Sequence, residues 1–118
     1  MGRRKQKPHA PEISIEVEPE EIPFRGNVLA SGNEIEDRLA EEEVRDRLYK
    51  GDVWAWCSVR VHASLGGFTG SSSWLGCCNY HSEADFRQPG GYYDDLKQEA
   101  IEDLKEKIEA EKIARMGT

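Results

Sequence analysis

Three cysteines, an odd number with Cys77 and Cys78 adjacent, are too few and too irregularly spaced for a disulfide framework. The thiols are expected to be reduced, buried and structural. No apolar run approaches the roughly 20 residues of a membrane span. The first residues also lack the apolar stretch of a secretion signal, so a cytoplasmic location is the expectation. Basic residues are outnumbered: 16 Lys and Arg face 23 Asp and Glu, a formal net charge of -7. Such a molecule repels nucleic acid and anionic lipid, which disfavours a general nucleic-acid-binding or membrane-surface role. Positive charge concentrates in Arg3-Arg4-Lys5-Gln6-Lys7, within a stretch 1–11 that reads as a disordered basic tail. There are no internal repeats. Residues 12–115 are left as one domain, long enough to bury a core without covalent staples.

What is present is organised around residues 53–80. Val53, Ala55, Cys57, Val59, Val61, Ala63 and Leu65 occupy alternate positions, the period of a strand with one buried face. Gly66-Gly67 supplies the positive φ of a tight hairpin turn, and the chain returns as F-T-G-S-S-S-W-L-G-C-C-N-Y. A two-residue loop sets the register: Leu65 opposite Phe68, Val61 opposite Ser72, Val59 opposite Trp74, Cys57 opposite Gly76, Ala55 opposite Cys78 and Val53 opposite Tyr80. One face then gathers the aliphatic residues with Phe68, Trp74 and Tyr80 as a core. The other gathers Trp54, Trp56, Ser58, Arg60 and His62 with Ser73, Leu75, Cys77 and Asn79.

Ahead of the hairpin, Ile13, Ile15 and Val17 alternate with Ser14, Glu16 and Glu18. This is an edge strand whose acidic outer face and following Pro19 discourage further pairing. Residues 19–32 are irregular yet too apolar at Ile22, Phe24, Val28 and Leu29 to hang free; they are expected to pack across the sheet, the Trp54/Trp56 end being one candidate place. A helix follows, capped by a Ser31/Glu34 box or by Asn33 and ended by Lys50-Gly51. Ile35 and Leu39 lie on one side of it and Ala40, Val44 and Leu48 on the other. It is therefore either buried on two sides or broken near Glu41-Glu42-Glu43. After the hairpin, residues 81–91 read as a loop with one helical turn after Ser82, and Tyr93, Leu96, Ala100, Leu104 and Ile108 mark a helix over about 92–115, with Ile101 at the stripe's margin. The order β-α-β-β-α predicts an α+β domain of two layers, a three-stranded antiparallel sheet with helices packed on it.

Chemistry-bearing constellations are sparse. Neighbouring strand residues point to opposite faces, so Cys77 and Cys78 do not share an ion with Cys57, His62 or His81; no metal or cofactor is expected. A cysteine nucleophile lacks a base and an orienting group at the right spacing, so no catalytic residue is assigned. The glycines around Gly66 to Gly70 lack the lysine and helix start of a phosphate loop. Two surfaces remain as candidates for recognition. Trp54, Trp56, Arg60 and His62 share the open face and offer interface-type or nucleotide-stacking groups, unless the tryptophans form a second small core under residues 19–32. Glu99, Asp103 and Glu106 lie on an acidic helix face able to imitate nucleic-acid phosphate, against the plain alternative of a solvated face.

The segments F-R-G-N-V-L-A-S-G-N, G-D-V-W-A-W-C-S-V, L-G-C-C-N-Y and F-R-Q-P-G-G-Y-Y-D-D-L resemble small uncharacterised proteins encoded in bacteriophage and prophage genomes. The resemblance covers about residues 12–110. It implies a bacterial cytoplasm and a non-enzymatic accessory role, binding a host factor such as a restriction or CRISPR component, and carries no site residue with it. The reading is thus a phage or prophage accessory protein that binds a host or defence protein, with a nucleotide-binding module on the Trp54/Trp56/Arg60/His62 face as the alternative. The edge strand and the open face each offer a route to a homodimer.

Overall fold

The computed structural model describes residues 10–116, so the basic run at residues 3–7 lies outside them. Strand β1 (Glu12–Pro19) is followed by helix α1 (Glu34–Tyr49), a 3-10 turn (Val53–Ala55), β2 (Cys57–Leu65), β3 (Phe68–Ser71), β4 (Leu75–Cys78), a short helix α2 (Glu83–Phe86) and the long α3 (Tyr92–Met116). The class is α+β with an antiparallel sheet. Four strands are present where three are expected, because the hairpin's second arm is interrupted: β3 and β4 both pair with β2, and β1 pairs along its other side.

The register explains the interruption. Gly66 and Gly67 have φ of 58° and 85°, as a tight turn requires, and Leu65 opposes Phe68 as expected. The same count holds as far as Ser72, whose backbone N–H donates to the Val61 carbonyl while its buried hydroxyl, in place of its own carbonyl, accepts the Val61 N–H at 2.9 Å. Past this point the arm slips outward, and Val59 meets Leu75 and Cys57 meets Cys78 instead of Trp74 and Gly76. The slip is a β-bulge, which adds residues to one strand and re-aims its side chains. Leu75 consequently packs against the core, and Trp74 leaves the core face to which strict alternation assigns it. The first arm also begins later than its pattern suggests. Asp52 accepts the Trp54 N–H through its carboxylate and turns residues 53–55 into a 3-10 segment.

Cys57, Val59, Val61 and Ala63 are fully buried against Leu96, Ala100 and Leu104 of α3, with Ile13, Ile15 and Val17 of β1 at the margin. The helical stripe read from the sequence is the stripe that packs. Burial of each Val or Leu side chain contributes about 1.5–3 kcal/mol. Contact is closest at Gly70, where a Cβ would sit 2.6 Å from the Leu104 Cα and nearer still to the Leu104 amide nitrogen and the Ala100 carbonyl oxygen. Phe86 of α2 closes the end of this core against Trp54, Tyr80 and Tyr93, with ring centroids 5.1–5.8 Å apart.

Helix α1 does not pack on the sheet. Asn33 caps it, its Oδ1 accepting from Ile35 and Glu36, while Ser31 donates its hydroxyl to Asp37 and takes no part in a box with Glu34. The helix runs unbroken through Glu41-Glu42-Glu43 and buries one side: Val44, with Leu48 beside it, meets Ala55, Trp56, Phe24 and Val28 in a second, separate cluster. Ile35 and Leu39 stay in solvent. Arg47 fastens this unit to the rest, its Nε 2.8 Å from an Asp52 oxygen and its guanidinium donating to the Tyr80 carbonyl.

Candidate functional site

One face of the sheet is taken by α3. The other carries the even-numbered residues of β1 and β2, paired as Ser14 with His62, Glu16 with Arg60 and Glu18 with Ser58. At its centre the Glu16 carboxylate accepts from Arg60 Nε at 2.9 Å and from His62 Nε2 at 2.7 Å, and His62 Nδ1 lies 2.7 Å from the Ser71 hydroxyl of β3. The hydrogen bonds from His62 first, and then from Arg60, hold the Glu16 carboxyl below the usual carboxylate range. An ionised Glu16 only accepts, so His62 presents N–H at Nε2, while its Nδ1 shares a hydrogen bond with the Ser71 hydroxyl. This Ser–His–Glu chain resembles the start of a nucleophilic site. However, Ser71's own N–H is committed to the Asp103 carboxylate at 2.8 Å, which places an anion where an oxyanion would need donors.

The Arg60 guanidinium also stacks on Trp74, 4.8 Å from its ring centroid, and Trp74 is 39% exposed. Serine and threonine extend the face toward the hairpin tip, where Ser64 and Thr69 hydroxyls meet at 3.1 Å. At the other end Glu20 bridges the bulge, accepting from the Ser58 hydroxyl at 2.7 Å and the Cys77 N–H at 2.8 Å. Cys77 has φ of 55°, in the left-handed region, and the Glu20 contact holds it there. Its thiol is exposed, in contrast to the buried position expected for it, and is raised above its ordinary value by desolvation and by the neighbouring Glu20. Cys57 and Cys78 are buried as expected, their thiols pushed up to about 11 and about 12 mainly by desolvation.

Of the residues singled out from the sequence, Arg60 and His62 do lie together on the open face. The tryptophans do not join them. Trp54 packs with Tyr80 and Phe86 in the main core, and Trp56 is buried in the α1 cluster with its indole N–H donating to the Ile22 carbonyl at 2.6 Å. Residues 19–32 therefore cover Trp56, as the small-core alternative requires. Glu99 and Asp103 point to the sheet and accept the N–H groups of Ser73, in the break of the second arm, and of Ser71, at the free edge of β3. By satisfying these backbone donors the two carboxylates tie α3 to the sheet, a structural role. Glu106 is exposed, beside Glu109 at a shallow hollow of about 530 Å³.

Sequence reasoning missed Glu16, Ser71 and Trp74. The signal for Trp74 was the run Ser71-Ser72-Ser73, whose hydroxyls compete with backbone pairing and favour a break in the ladder. Among the described residues no group of three or more His, Cys, Asp or Glu is placed to hold a metal ion, and no helix is long and apolar enough to cross a membrane. A scan against protein-family models, a search of curated proteins and a search of solved structures each return no match for this chain, and the reading of its surface rests on its own residues.

Proposed function

We propose that this chain is a phage or prophage accessory protein of the bacterial cytoplasm that acts by binding a host or defence protein, and that the binding surface is the open sheet face rather than the exterior of α3. The observation that supports this is the Arg60–Trp74 stack, a partly exposed tryptophan under a guanidinium on a broad polar face. Trp and Arg are the residues that most often anchor protein interfaces, and a flat face of this kind suits a macromolecule better than a small ligand. Glu12, Glu18 and Glu21 are exposed along and just beyond β1 and give the surface an acidic margin, so the fitting partner has a basic rim of the kind nucleic-acid-binding proteins carry. The nucleotide-binding alternative loses the Trp54/Trp56 platform on which it was built.

The test is an affinity capture from host lysate with tagged wild-type protein, Arg60→Ala/Trp74→Ala and Glu12→Lys/Glu18→Lys, each first shown to be folded by circular dichroism. A partner held by wild type and lost by the first variant, with slower association for the second, supports the reading. Retention of the same partner by the folded Arg60→Ala/Trp74→Ala protein overturns it, and so does a co-purifying nucleotide in place of a protein.

A further inference from the structure

Most of the large apolar side chains left substantially exposed among the described residues cluster on α1 and the segment before it: Ile22, Leu29, Ile35, Leu39 and Tyr49. Within α1, Ile35 is 73%, Leu39 60% and Tyr49 85% exposed. They occupy the side of the helix turned away from Val44, and the spacing of that side is a pair of heptads: Ile35, Arg38/Leu39, Glu42, Arg45/Asp46, Tyr49. Apolar residues stand at both ends of this side, Ile35 and Leu39 at one and Tyr49 at the other, with the charged Glu42 and Arg45/Asp46 between them, a pattern that can pack on another helix where the charges find partners.

The order of residues along the stripe identifies its occupant. Reversed about Glu42, the stripe complements itself. Ile35 and Tyr49 exchange places, apolar on apolar. Arg38 and Asp46 exchange places, opposite charge on opposite charge. Leu39 falls on Arg45, whose aliphatic stem can cover it. A parallel arrangement would instead set Arg38 on Arg38 and Asp46 on Asp46. We infer that a second copy of this chain docks on the outer face of α1, antiparallel and two-fold symmetric about Glu42. Such an isologous interface needs one surface to serve as both halves, and this one does. The contact runs about 21 Å from Ile35 to Tyr49. At its end, Ile35 of the second copy reaches the rim of an apolar groove of about 330 Å³ formed by Phe24, Arg45, Leu48 and Tyr49. The two Glu42 carboxylates meet at the dyad, flanked by Arg38 and Arg45, and are the one unfavourable pair. The inference is independent of what the sheet face binds.

Sedimentation equilibrium of the full chain, from micromolar to millimolar concentration, tests it. Wild type is expected to show a monomer–dimer equilibrium. Leu39→Glu and Arg38→Asp each raise the dissociation constant by roughly tenfold or more, the double variant Arg38→Asp/Asp46→Arg returns it toward the wild-type value, and Glu42→Leu tightens it. These residues are on the surface, and unchanged circular dichroism shows that the variants fold. A wild type that is monomeric throughout overturns the inference. So does a dimer unaffected by Leu39→Glu, or a charge-swapped double variant no tighter than Arg38→Asp alone.

Discussion

Replacing Gly70 by alanine adds a single methyl group at the tightest point of the molecule. The atoms it meets are backbone of α3, the Leu104 amide and Cα and the Ala100 carbonyl, none of which can swing away as a side chain would. Restoring ordinary van der Waals separation from the Leu104 Cα requires the helix to rise by roughly 1 Å. That lift also loosens Ala100 and Leu104 from Val61 and Ala63, all of them buried now. Overpacking against movable neighbours costs about 1–3 kcal/mol, and rigid neighbours put Gly70→Ala at the top of that range. At an unfolding entropy of about 2.1 cal/mol/K per residue, 3 kcal/mol over a domain of about 100 residues lowers Tm by roughly 14 °C. Gly91→Ala is the control, since a Cβ there meets nothing closer than 3.8 Å at an unstrained backbone. Thermal unfolding followed by circular dichroism reads both. A Gly70→Ala Tm within a few degrees of wild type would refute the close helix–strand contact.

Two further outcomes follow from the site's chemistry. Titration with a chromogenic disulfide reagent near pH 8 is expected to count one thiol in the native protein, Cys77, and three after denaturation, because Cys57 and Cys78 are buried and pushed up to about 11 and about 12. Two or three fast-reacting native thiols would contradict the burial. Glu16 is held below its ordinary value of 4.5 by His62 and Arg60, so it contributes stability that is present above pH 4.5 and lost as pH falls through the folded-state value. Urea unfolding at a series of acidic pH values should show a shallower acid decline for Glu16→Gln than for wild type. An identical slope would mean that the pairing with His62 and Arg60 is not maintained in solution.

Much of the fold is written in periodicity. The alternation from Cys57 to Leu65, the glycine pair and the Tyr93-to-Ile108 stripe each lead directly to the elements that form. What periodicity could not deliver is the place where it fails. Two local competitors break the hairpin ladder: the Ser72 hydroxyl substitutes for a backbone acceptor, and Asp52 winds the start of the first arm into a 3-10 turn. Those breaks decide the site, because they send Trp74 to the open face and draw Trp54 and Trp56 into two different cores. Arg60 and His62 were legible because they lie in the regular part of β2. The roles of Glu99 and Asp103 were not, since an acidic helix face looks the same in sequence whether it faces water or orphaned N–H groups across the sheet.

The two hydrophobic clusters found among the described residues also divide the chain's cooperativity. The cluster holding α1 is built from Val44, Ala55, Trp56, Phe24, Val28 and Leu48, all from the excursion between β1 and β2, and it shares no member with the cluster between the sheet and α3. Its chief polar tie to the remainder is Arg47. A unit with so small a core of its own opens at a lower free energy than the sheet it hangs from, so hydrogen exchange in α1 should proceed by local unfolding while the amides of β2 wait for global unfolding. The two surfaces of the molecule are therefore unequal in stiffness, with the sheet face carried on the rigid part and the α1 face on a segment able to melt and re-form by itself.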